Sequence, residues 1–456
     1  MKKLYKIAAL TSSAFILAQA SLMTLTLNTP LVQVQAAPPQ APPGGGGGFG
    51  GSGTVNQGTT ANELTEDGTV TDTQYSSTGD DENALRVTNA KVTLTGVKVD
   101  KTAGATSNTE DGDFYGMNAG LLATDGATVT IKDTTVNTSA QNGNGIFSYG
   151  QGTTVNVADT TITTTADNSG GIQTTGGATM NATNLTVETA GNSAAAVRSD
   201  RGGGRVVVDG GTYTSKGYNS PAIYSTANIT AKNGTFTAQN SEALVIEGQN
   251  SITLENATVE GNMSDTKGSS SDTNVHNVMI YQSMSGDAEV GKAAFTMTDG
   301  NLISNNGDLI YVTNTHADIN LSNVTIKNLD TEGRLLAVLG NDASHGWGTA
   351  GANGANVTMT TQNQTLEGAI EVDTISTLNL TLGKGSNFTG TIKIIDNADG
   401  GTAVADNAVV TVEEGATWNL TGDVTLTSLT NKGTINFNGH TIDRKSTRLN
   451  SSHSDR

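Results

Sequence analysis

Residues 144–169 read NGIFSYGQGTTVNVADTTITTTADNS. Three short β-type runs follow one another here: Ile146-Phe147-Ser148, Thr154-Val155-Asn156-Val157 and Thr161-Ile162-Thr163. Gln151-Gly152 and Asp159 separate them, and Ala166-Asp167-Asn168-Ser169 closes the unit. Gly, Asn and Asp take the backbone angles that tight turns require, whereas Thr, Val and Ile suit a pleated, half-buried surface. Alternation inside each run points one face inward and the other at water. The next unit repeats the pattern with Ile172, Met180 and Leu185-Thr186-Val187.

Working outward, the same short apolar tetrad returns along most of the chain, as Ala84-Leu85-Arg86-Val87, Gly145-Ile146-Phe147-Ser148, Ala196-Val197-Arg198-Ser199 and Ala243-Leu244-Val245-Ile246. Aligned on Leu85, Leu121, Ile146, Ile172, Val197, Ile223, Leu244, Met279, Leu309, Leu335, Ile370 and Ile392, the copies lie 21 to 36 residues apart. A repeat of that size built from strands and turns, with no helical pattern, specifies a solenoid. A propeller blade needs about 40 residues, so the shortest interval fits one coil only. The fold class expected is therefore all-β, a single-stranded right-handed parallel β-helix of twelve or more coils over residues 80–442. Residues 54–79, polar and irregular, are expected to cap its N-terminal edge.

The ends read differently. In residues 1–36, Lys2, Lys3 and Lys6 precede an apolar stretch and the small residues of Val34-Gln35-Ala36, the pattern of a signal peptide. Cleavage after Ala20 is the alternative, and the longer form resembles the extended signals of Gram-positive bacteria. The apolar stretch is short and interrupted by Thr and Ser, which argues against a membrane anchor. Residues 37–53 carry PPQAPPGGGGGFGGSG, a Pro/Gly-rich linker too poor in apolar surface to fold. Residues 443–453, DRKSTRLNSSH, resemble the in-frame translation of a sequencing-library adapter, which implies that 443–456 is a non-native tail.

The formal net charge is −19, and without the signal and tail residues 17 basic side chains face 41 acidic ones. Counterion release on nucleic acid needs clustered Lys or Arg, so nucleic acid is excluded as a partner and an anionic membrane surface is disfavoured. With no cysteine, disulfides and thiol chemistry are excluded as well. An exported, acidic, cell-surface protein held by packing and ladder hydrogen bonds is expected.

The coils, rich in Asn-Gly, Asp-Gly and Thr-x-Thr, resemble the pectin-lyase-like β-helix superfamily, and within it the adhesin-type surface proteins of bacteria. In that superfamily the strand carrying the outward row faces a groove in which a glycan lies. The resemblance thus implies carbohydrate binding along Arg86, Leu122, Phe147, Gln173, Arg198, Tyr224, Val245, Ile280 and Ile310, a row too apolar for an ordinary solvated face. A covering of inserted loops or of a neighbouring chain explains the same row equally well. Residues 100–116 and 262–277 precede the row and 341–354 follow it, so the loops would form two rims. The candidate ligand-binding residues are Phe147, Gln173, Arg198, Arg201, Tyr224, Tyr115, His276, His345 and Trp347.

Catalysis has little support. The hydrolases of the superfamily carry paired Asp and a Gly-His-Gly segment, and here His345-Gly346 runs into Trp347. Its lyases use calcium carboxylates and an Arg base, and Arg198-Ser199-Asp200-Arg201 is the nearest approach. Asp111 and Asp113 in Glu110-Asp111-Gly112-Asp113 are a weak calcium candidate, since carboxylate oxygens suit that ion but the spacing of an EF-hand is absent. The expected function is adhesion to a glycan or to a host or bacterial surface. A polysaccharide lyase or hydrolase is the first alternative and a structural display rod the second. The final coil, ending without a cap near Ile442, is expected to be open to self-association.

Overall fold

The computed structural model of the protein describes residues 54–263 and 274–445. Alternating Thr/Val strands and Gly/Asn/Asp turns build an all-parallel β-solenoid. One sheet holds fifteen strands stacked in chain order, among them Leu85–Thr88, Leu121–Thr124, Ile146–Tyr149, Ile172–Thr175 and Val197–Ser199. It ends at Thr434–Asn436. A second sheet of twenty strands bends to supply the other two sides of each coil. One of its columns stacks Val92, Val129 and Val155 in register, the other Val99, Val136 and Ile162. At a strand spacing of about 4.8 Å, fifteen levels make a rod roughly 67 Å long.

Its interior is one continuous cluster of aliphatic side chains, with Ile146, Ile223, Val136 and Leu244 wholly buried. The turn between the second and third sides repeatedly places an Asn or Asp in the left-handed region, as at Asp159 (φ 48°), Asn184 (φ 52°), Asn233 (φ 57°) and Asn256 (φ 48°). These side chains stack into a hydrogen-bonded ladder: Asn184 donates to Asp159 at 2.9 Å and Asn256 to Asn233 at 3.0 Å. The small residue opening each tetrad has a packing cause too. A Cβ on Gly171 would come within 2.3 Å of Val187 Cγ1 and 2.5 Å of the Ala196 carbonyl oxygen.

Three features depart from the sequence reading. Residues 54–79 run in ladder register with the next coil, Gly68–Thr71 and Gln74–Ser77 pairing with the strands that follow, so this segment is itself a coil. Residues 100–116 contain a helix, Thr109–Tyr115, capped by the Asn108 side chain on the Glu110 amide and ended by Gly116 at φ 80°. About two turns are too few for a helical period to show against the surrounding Gly, Asn and Thr. Third, the third side stops at Thr325–Asn328. Above it, the front halves of two long strands, Thr365–Asp373 and Asn387–Ile395, close the coil with Leu366 and Phe388. At the far end Ile442–Arg444 adds a strand to Val424–Leu426. The signal and linker expectations for residues 1–53 lie outside the described residues, as do residues 446–456 of the expected tail.

Candidate functional site

Pairing in the fifteen-stranded sheet defines the outward row. Leu244 aligns with Val278, Val278 with Ile310, and Ile310 with Leu336. The sequence alignment on Met279, Leu309 and Leu335 was therefore one residue out of register, and such a slip exchanges the two faces of a strand. Ile280 and Ile310 point into the core. The outward row over these coils is Met279, Tyr311 and Ala337, continuing upward as Glu371 and Lys393. A run of apolar residues on both faces, as in Val278-Met279-Ile280-Tyr281, offers no alternation from which to take the phase.

From Leu122 to Ala337 this outward row is buried. Three segments lie over it. The helix and its flanks cover the early coils. The Gln173 amide donates to the Asp113 carbonyl at 2.6 Å, the Thr175 hydroxyl to the Phe114 carbonyl at 2.6 Å, and Phe147 packs with Leu122 and Ala119 beside Gly116. Next come residues 283–289, and then the loop around Trp347, whose ring lies 4.9 Å from those of Tyr281 and His345. Asn341 and Asn353 hold that loop by donating to the Trp347 carbonyl at 3.1 and 3.0 Å.

Between the first two covers sits a buried charge cluster. Arg198 grips Asp200 through Nε (3.1 Å) and Nη2 (2.6 Å) and reaches Asp113 in the helix at 3.2 Å. Arg201 lies 3.9 Å above the Phe114 ring and pairs with Asp287 at 2.6 Å. Burial pushes the Asp200 carboxyl up to about 7, the attraction of Arg198 notwithstanding, and the nearby Asp287 and Asp113 add to the rise. Burial would lower Arg198, but its two carboxylates outweigh that and hold it charged. Two coils on, Glu247 accepts from Tyr224 (2.5 Å), Tyr281 (2.9 Å) and Ser283. Its carboxyl is raised by burial, against the pull of those three hydroxyls.

The structure thus brings together Gln173, Arg198, Arg201 and Asp113 around the helix, and His345 with Trp347 in the last cover. Tyr115 is half-buried and meets Tyr149 edge-on at 5.6 Å. His276 is buried, its ring 5.3 Å from that of Tyr311. Tyr224 stands between the clusters on Glu247. Phe147, Gln173, Arg198 and Trp347, buried under these covers, present no face to an external polymer. Of the two readings of the row, the loops as cover accord with this arrangement. Asp111 and Asp113 do not form a calcium site together: Asp111 accepts from Asn56 at the surface, whereas Asp113 turns inward to Arg198 and Asn142. Among the described residues no three His, Asp or Glu side chains converge as metal ligands. General acid–base chemistry needs a group within reach of substrate, and Asp200 and Glu247 are both enclosed.

The row emerges from its cover only at its ends, with the half-buried Arg86 at one and Glu371 and Lys393 at the other. Just above the covered stretch lies a cleft of about 230 Å³, lined by Leu339, the edge of the largely buried Tyr311, Asn274, Asn341, Asn397 and Asp342. Arg334 stands beside it, bound to Asp308 at 2.6 Å, to Glu371 at 2.8 Å and to Asn274 at 2.8 Å. Sequence reasoning missed Tyr311, Asn341 and Asn397. A correct register would have placed Tyr311 in the row, but nothing local marks the two Asn residues. Compared with known proteins, the chain matches no family model, no curated protein and no solved structure. No described helix is long and apolar enough to cross a membrane.

Proposed function

We propose that the protein is an extracellular, non-catalytic β-helix of the adhesin type within the pectin-lyase-like superfamily, binding glycan at the bare end of the outward row. The basic-apolar N-terminus supports export. The observation that carries the binding reading is the cleft just above the covered stretch, where carboxamides and carboxylates surround Leu339 and the edge of the largely buried Tyr311. Such a set suits sugar hydroxyls and C–H faces, and small-ligand sites commonly combine an apolar floor with a few convergent polar groups. Its acidic rim, with Asp342, Asp396 and Asp399, favours neutral or amino sugars over uronates. Burial of Arg198 between two carboxylates removes the side chain a lyase would have used as base. At the last described coil, Phe437 is 49% exposed beside strand edges that have one neighbour each among the described residues, which supports self-association there.

Binding to an array of neutral and acidic polysaccharides tests the proposal, with the Asp396→Ala/Asp399→Ala variant as the placement control. Retention on neutral glycans, weakened in the variant, is expected. Equal retention by the variant would move the site elsewhere, retention on no glycan would favour a display rod, and new reducing ends or unsaturated products would favour an enzyme.

A further inference from the structure

The third side of the solenoid breaks off in mid-rod, leaving a vacancy in the hydrogen-bond ladder. From Val136 through Leu302 its inward side chains are all but inaccessible, yet Ile326 in its last strand, Thr325–Asn328, is only half-buried and Leu329 beside it is 60% exposed. The Leu329 amide donates to the Ser304 carbonyl at 2.8 Å, which fixes the phase of this strand. In a parallel ladder alternate residues bond to opposite neighbours. Thr325, Lys327 and Leu329 therefore bond downward to Lys292–Ser304, and the N–H and C=O groups of Ile326 and Asn328 face upward. Nothing among the described residues bonds them.

The opposite wall is also an unpaired edge. The Asn387 amide donates to the Gln364 carbonyl at 2.8 Å, so Gln364 and Leu366 face the coil above and the backbone of Glu367 faces down into the gap. At the closed end the Gln364 side chain supplies what a strand would. Its oxygen accepts from the Val324 amide at 2.9 Å, and its nitrogen donates to the carbonyls of Val324 at 2.7 Å and Thr365 at 2.8 Å. Beyond that stopgap the walls enclose a cleft of about 730 Å³ lined by Ile326, Asn328, Leu329 and Glu367.

We propose that this cleft is a docking site for an extended peptide segment of a partner protein, running parallel to Thr325–Asn328 and adding the missing strand. Peptide backbone is the chemistry that offers donors and acceptors in alternation on both its edges at ladder spacing, as both walls require. The segment sets a β-branched or aromatic side chain inward on Ile326 and a polar one outward between Lys327 and Glu367. The excess of acid over base at the rim, Asp330 and Glu367 against Lys327, within a chain of net charge −19, selects a segment without net negative charge. A second copy of the rod fits poorly, because its strands are already built into coils too bulky to enter.

The probe is a synthetic peptide with the sequence of residues 210–216, GGTYTSK, which fills this side of the solenoid in an earlier coil. Amide hydrogen exchange is followed at single residues in the whole protein. The peptide at millimolar concentration is expected to slow exchange at Ile326 and Asn328 about tenfold or more, leaving Leu302 unchanged. Ile326→Pro, which removes an upward N–H, and Leu329→Glu, which replaces the apolar rim, are each expected to abolish the protection while circular dichroism stays that of the parent. Three results would overturn the proposal: no protection by the peptide, undiminished protection in both variants, or protection that arises from rising protein concentration or from a soluble glycan instead.

Discussion

Ala337 and Lys393 occupy the same outward row, two levels apart on the same parallel sheet, and share the backbone geometry of their strands. One is wholly buried and the other exposed. The coil does not decide this difference; the insertions do. Where residues 102–118, 283–289 and 341–353 fold back over the sheet, the outward face becomes a second interior with its own ion pairs and aromatic packing. Above Ala337 the one long connection, residues 396–407, packs against Gly351 and leaves Lys393 uncovered, and the row reverts to a solvated face. A β-helix thus carries a uniform scaffold inside and a locally chosen surface outside.

The largest expected break of that contrast is at the clasp between helix and row. Arg198→Ala leaves Asp113 and Asp200 buried without their cation, and chemical denaturation should show a loss of about 3–5 kcal/mol. An unchanged midpoint would mean that the cover is not held by this cluster. A smaller effect should appear in the pH dependence. The folded Asp200 carboxyl titrates near 7, above the ordinary value of about 4. Between those values the folded state keeps a proton that the unfolded chain has lost, so this group's contribution to stability is complete below about pH 4 and declines as pH rises towards 7. The fall in melting temperature from pH 5 to pH 8 should therefore be shallower in Asp200→Asn than in the parent, whatever the variant's absolute stability. Smallest of all, Lys393→Ala on the bare stretch should shift stability by less than about 0.5 kcal/mol.

The repeat itself was legible because each coil spells it in turn residues: Asp159, Asn184, Asn233 and Asn256 occupy equivalent left-handed positions and bond to one another. Register was legible wherever a small residue opened the tetrad, as at Gly171 or Ala222, and was lost from Val278 to Leu336, where strands apolar on both faces offer no phase. The charge cluster was visible in part. Arg198 and Arg201 stood out, whereas their partners Asp113 and Asp287 lie 85 and 86 residues away in the chain, and no local pattern announces such a pairing. The arrest of the third side at Thr325–Asn328 left no sequence signal, because the strand opens on Thr and an inward apolar residue as Thr161-Ile162 and Thr235-Phe236 do, and what is missing is a partner.

The contrast along the row can be read directly, since the chain has no cysteine of its own. Single-cysteine variants Ala337→Cys and Lys393→Cys, treated with a water-soluble thiol reagent under native conditions, report the exposure of two positions on one face of one sheet. If the insertions cover the row, the thiol at 393 reacts like a free one and the thiol at 337 reacts about a hundredfold more slowly, through local opening alone. Equal rates would contradict the covered solenoid.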